Sequence, residues 1–120
     1  MKLKKNNKPR IFKPIVGHTY SIKDCGKLFL NNYEQVTIVS NNKNEFDLTK
    51  TEWGYYPMPS INYRLKKHKY KTALVQNKFD KKVFILLVQN EKKREFLKFL
   101  KDQKKKILYW IDEKCEIKKV

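Results

Sequence analysis

The chain has 120 residues, 40% of them hydrophobic and 13% aromatic, enough for one buried core and too many for a wholly disordered chain. Its longest apolar run, Val83 to Val88, has the length of a buried strand and is far too short to cross a membrane. The formal net charge of +17 points to a polyanionic partner, because such self-repulsion opposes compaction unless something neutralises it; the bland alternative is the lysine bias of an AT-rich genome.

That charge is unevenly spread. Residues 1–13 carry +6, residues 14–60 carry −1, residues 61–90 carry +7 and residues 91–120 carry +5. The first segment has no hydrophobic period, and Pro9 and Pro14 keep their surroundings extended, so residues 1–13 read as a flexible basic arm. Lys4, Lys5, Lys8 and Arg10 would give that arm its electrostatic reach. Residues 14–120 read as one domain.

Ser21 followed by Asp24 resembles a capping box, and Ile22, Cys25, Phe29 and Tyr33 recur at helical spacing, which predicts a helix over 21–32. Gln35–Ser40 and Glu45–Leu48 read as the two strands of a hairpin joined by Asn41-Asn42-Lys43-Asn44. Pro57 and Pro59 remove backbone donors from residues 49–60, which excludes regular helix or central strand there. A short helix follows at 60–68, with Ile61 and Leu65 on its inner side. Lys71–Gln76 and Lys82–Gln89 form a second strand pair around the turn Asn77-Lys78-Phe79-Asp80, and the unbroken apolar run predicts that the latter is a central strand. Phe96, Leu100, Ile107 and Ile111 lie on one helical stripe and predict the longest helix, over 92–111. Cys115–Val120 would close the chain as a frayed end or a short edge strand. The expected fold is therefore α+β, ordered α-β-β-α-β-β-α, with a four-stranded, mainly antiparallel sheet and helices packed on it.

Residues 53–67 concentrate groups suited to binding. Trp53, Tyr55 and Tyr56 offer flat rings for stacking a base or sugar. A helix starting near Ser60 and Asn62 would present free N–H groups to an anion, and Arg64 could fork onto a phosphate. Lys66 and Lys67, off the apolar stripe, would face water and grip a nucleic-acid backbone. The bland counterpart is an aromatic core rim with a capped helix and a solvated lysine face.

Catalytic and metal constellations are missing from the sequence. The three glycines are well separated, so there is no phosphate loop, and Ser60 lacks the Gly-x-Ser-x-Gly setting. Cys25 and Cys115, with His18 and His68, show no zinc spacing; the cysteines read as idle thiols in a cytoplasmic protein. No catalytic residue, cofactor or metal is assigned. The reading these residues favour is a non-enzymatic nucleic-acid-associated protein, with RNA or a ribonucleoprotein as its partner and no membrane. Two rivals stand beside it. One is an enzyme or sensor that uses the Tyr55–Arg64 segment for a nucleotide or sugar phosphate. The other is an adaptor or inhibitor of an acidic protein. The RNP, KH and zinc-finger signatures of known nucleic-acid binders are absent.

Overall fold

The structure is a computed structural model describing residues 1–12, 21–40 and 44–113. It is mainly β, with three small sheets in place of the expected single four-stranded one. The first is a two-stranded ribbon of β1 (Lys2–Phe12) and β2 (Ile22–Phe29). The second contains β3 (Gln35–Val39), β4 (Glu45–Thr51) and β5 (Gly54–Tyr56) in that spatial order. The third has β6 (Tyr70–Asn77) at its centre, flanked by β7 (Val83–Gln89) and β8 (Lys105–Trp110). All neighbouring strands are antiparallel. Helix α1 is a single turn, Arg64–Lys67, and α2 spans Lys93–Asp102.

The third sheet holds the core. Ala73 and Val75 of β6, Val88 of β7 and Leu100 of α2 are buried together, with Leu86, Phe96, Phe99, Ile107 and Trp110 packed around them. Val75, Val88 and Leu100 each contribute about 1.5–3 kcal/mol by burial. β6 is covered on both faces because Thr72 is as deeply buried as Ala73, its neighbour of opposite direction. β7, expected to be central, lies at an edge, and Val83, Phe84 and Ile85 remain 38–54% exposed.

Asp112 fastens the end of this sheet. It is 1% exposed, and its Oδ1 accepts the Thr72 N–H at 3.0 Å. Its Oδ2 lies 3.3 Å from Lys71 Nζ, which also donates to Glu113 Oε1 at 2.7 Å. The hydrogen bond to Glu113 holds the Lys71 ammonium above the usual lysine range, against the opposing effect of burial and with Asp112 adding to the rise.

Four expected elements are corrected. The helix expected over 21–32 is β2: Asp24 does not cap a helix but accepts the Gly26 N–H at 3.3 Å and faces Arg10 at 3.7 Å. Gly26 has φ +150, and a Cβ there would sit 2.3 Å from the Lys4 carbonyl oxygen, so the chains approach where only glycine fits. The helix expected over 92–111 ends at Asp102; Lys104 turns the chain at φ 53 and residues 105–110 pair with β6. The helix expected over 60–68 shrinks to α1, whose Leu65 is fully buried. The basic segment expected to lack regular structure is β1, paired to β2 from Lys2 to Phe12 with a bulge between Lys5 and Arg10. The hairpins β3–β4 and β6–β7 form as their residues predict, and β5 is a three-residue edge strand ended by Pro57. Residues 41–43, His18, Cys115 and the expected closing strand lie outside the described residues.

Candidate nucleic-acid interface

The aromatic segment is built on a tight reversal. Thr51 is buried, and its Oγ1 donates to the Gly54 carbonyl at 3.0 Å, closing a turn through Glu52 and Trp53. Gly54 supplies φ +148, which a β-branched or aromatic residue would not adopt without strain. β5 then runs back along β4, with Tyr55 opposite Lys50 and Tyr56 opposite Thr49. Successive strand residues face opposite sides, so Tyr55 and Tyr56 cannot both stack on one ligand face.

Tyr56 shares its face with Thr49 and Asp47 of β4. Its ring lies 6.3 Å from that of Trp53, tilted by 58°. Trp53 is 73% exposed and Tyr56 57%, so neither ring is part of the core. Asp47 Oδ1 accepts from Thr37 Oγ1 at 2.8 Å, and its Oδ2 accepts from Arg64 Nη2 at 2.9 Å. One carboxylate cannot use all five donors of a guanidinium, and the Arg64 side chain remains about half exposed. Arg64 is thus a positioned cation near two exposed rings. On the opposite face Lys50 Nζ stands 5.5 Å from the Tyr55 ring centroid and donates to Asn32 Oδ1 at 3.0 Å.

The remaining expected residues divide into three groups. Ser60 is engaged internally: its Oγ accepts the Arg64 N–H at 2.9 Å and its carbonyl accepts the Leu65 N–H at 3.0 Å. Because α1 is one turn long, it gathers little dipole, and an anion cradle at Ser60 and Asn62 has no helix behind it. Asn62, Lys66 and Lys67 are exposed, and Lys67 Nζ sits 4.3 Å above the Tyr63 ring. Lys4, Lys5, Lys8 and Arg10 stand on β1, where Lys4 lies opposite Lys27 and Arg10 opposite Asp24.

Sequence reasoning missed three groups. Lys50 and the β2 lysines Lys23 and Lys27 were not singled out, because strand register, invisible in the sequence, brings them beside Tyr55 and the β1 lysines. The Lys71–Asp112–Glu113 cluster is not legible in the sequence, because Lys71 lies far from the two carboxylates along the chain and only the pairing of β6 with β8 brings them onto one ammonium. Its ring neighbour Trp110 lies 4.9 Å from Lys71 Nζ and 5.6 Å from Lys93 Nζ. Among the described residues, no group of three or more His, Cys, Asp or Glu side chains is placed to hold a metal ion. None of the helices described is long and apolar enough to span a membrane. Compared with protein-family models, with curated proteins and with solved structures, the chain matches none.

Proposed function

We propose that this protein is a non-catalytic nucleic-acid-binding protein of the cytoplasm, with RNA or a ribonucleoprotein as its partner. One observation carries the reading: Trp53 and Tyr56 expose their rings on the strand face where Asp47 holds Arg64, in a chain of net charge +17. Exposed rings stack unpaired bases whatever their identity, and fixed cations take the adjoining phosphates. Lys66 and Lys67 supply further backbone contacts from α1, and their geometry carries no base-reading pattern, so the binding is expected to be weakly sequence-selective.

The small-anion reading draws less support, since the one-turn α1 and the engaged Ser60 hydroxyl remove the cradle it needs. An acidic protein partner would use the same cations without the rings. A titration of labelled single-stranded RNA followed by fluorescence anisotropy tests the proposal. Binding should be micromolar or tighter at physiological salt, fall steeply with rising salt, and be lost when Arg64, Lys66 and Lys67 become Ala. Absence of binding by the unmodified protein refutes it. A protein partner captured after nuclease treatment and released by the same triple substitution would favour the acidic-protein reading.

A further inference from the structure

The β1–β2 ribbon carries a charge pattern that its own structure does not balance. Residues directly opposite one another in an antiparallel pair share a face, and faces alternate along each strand. The register places Lys2 opposite Phe29, Lys4 opposite Lys27 and Ile11 opposite Lys23 on one face. That face therefore holds Lys2, Lys4, Lys23 and Lys27 and no carboxylate, while the single acid of the ribbon, Asp24, sits on the other with Arg10. All four lysines are exposed. Lys4 and Lys27 face each other directly, and like charges so placed are destabilising. A phosphate between them converts that repulsion into a double attraction.

The ribbon also leads towards the rings. At its Lys2–Phe29 end the Met1 nitrogen donates to Glu34 Oε2 at 2.8 Å. Glu34 ends a turn in which the Tyr33 N–H donates to the Lys50 carbonyl at 2.8 Å and Asn32 Oδ1 accepts from Lys50 Nζ. Lys50 in turn stands over Tyr55. A basic track and an exposed ring are thus linked through one turn of the chain.

We propose that the lysine face of the ribbon tracks the phosphate backbone of a single-stranded nucleic acid, whose unpaired bases reach Tyr55. The inference rests on the nucleic-acid reading above and adds the strandedness of the partner and a second surface for it. Charge complementarity selects the polyanion: a second copy of this chain would bring lysines against lysines. Same-face residues on one strand lie about 6.7 Å apart, which places Lys2 and Lys4 at separate phosphates.

The test uses a labelled oligo-U of about 16 nucleotides, with a duplex of equal length for comparison, across a salt series. Proteins compared are the unmodified chain, the double variant Lys4→Gln/Lys27→Gln, and Tyr55→Ala. Losing two phosphate contacts from a single strand should lower the log–log salt slope by about 1.4, equivalent to about 25-fold weaker binding at 0.1 M salt if the two proteins converge at 1 M. Tyr55→Ala should weaken binding with the slope unchanged. Relief of the Lys4–Lys27 repulsion should leave the double variant at least as heat-stable as the unmodified chain, so weaker binding is not a folding defect. No binding by the unmodified chain overturns the nucleic-acid reading itself. Binding with a salt slope identical in the double variant overturns the ribbon proposal alone, as does tighter binding of the duplex than of the single strand.

Discussion

Replacing Gly26 with Ala isolates the ribbon from the rest of the molecule. At φ +150 an L-residue is strained by about 1–3 kcal/mol. The added methyl would also meet the Lys4 carbonyl oxygen at 2.3 Å and the Lys5 Cα at 3.0 Å. Those are backbone atoms of the paired strand, so no rotamer change relieves the contact; the strands must separate locally. A two-stranded ribbon is marginal in water even without this load. Taking about 2 kcal/mol for the strain alone, ribbon opening becomes about thirtyfold more frequent. Hydrogen exchange of residues 2–12 and 22–29 reads this directly, against β6 as the internal control. The expected result is faster exchange in β1 and β2 with unchanged protection of Ala73 and Val75, whose core makes no use of Gly26. Ribbon amides as protected in the variant as in the parent would refute the reasoning.

Other substitutions probe the core and the rings. Asp112→Ala leaves the buried Thr72 N–H without its acceptor and removes one of two carboxylates from Lys71, which should cost about 2–4 kcal/mol in urea unfolding. Because Lys71 is protonated more readily in the folded chain than in the unfolded one, its contribution is complete below about pH 10.5 and is lost as pH rises through the higher folded-state value. Stability should therefore decline on the alkaline side of pH 10.5, and Lys71→Met should abolish that part of the decline in a pH series of melting temperatures. Trp53→Ala should lose about 1–3 kcal/mol of single-strand affinity while leaving the unfolding transition in place, since the ring is 73% exposed.

The sequence was legible where local chemistry and long-range pairing agree. Gln35–Val39 with Glu45–Thr51, and Tyr70–Asn77 with Val83–Gln89, combine β-rich runs with polar turns and form as hairpins. It misled where a hydrophobic spacing satisfies two periods. Ile22, Cys25 and Phe29 fit a helix, but in β2 the odd-numbered and even-numbered positions simply divide between faces, and the close approach to Lys4 decides the matter. In residues 92–111 the same stripe crosses a helix and a strand. Nothing in Gln103-Lys104 announces the break, because lysine rather than glycine takes the left-handed position. β1 has no period to read, being exposed on both faces and held by its pairing with β2. Of the candidate site, the residue types of 53–67 were visible. The opposite directions of Tyr55 and Tyr56, the Asp47 tether on Arg64 and the partnership of β1 with Lys23 and Lys27 required the register.

The edge strand β7 gives the large positive charge a second consequence. Val83, Phe84 and Ile85 stand partly bare along an edge with no strand partner among the described residues, a template on which another copy could add a strand. At ordinary ionic strength, mutual repulsion between molecules of charge +17 keeps such edges apart. In about 1 M salt the screening length contracts to about 3 Å and that protection vanishes. A high-salt wash, the usual means of stripping bound polyanions, is thus the condition that invites this protein to aggregate, and purification should pass through high salt only at low protein concentration.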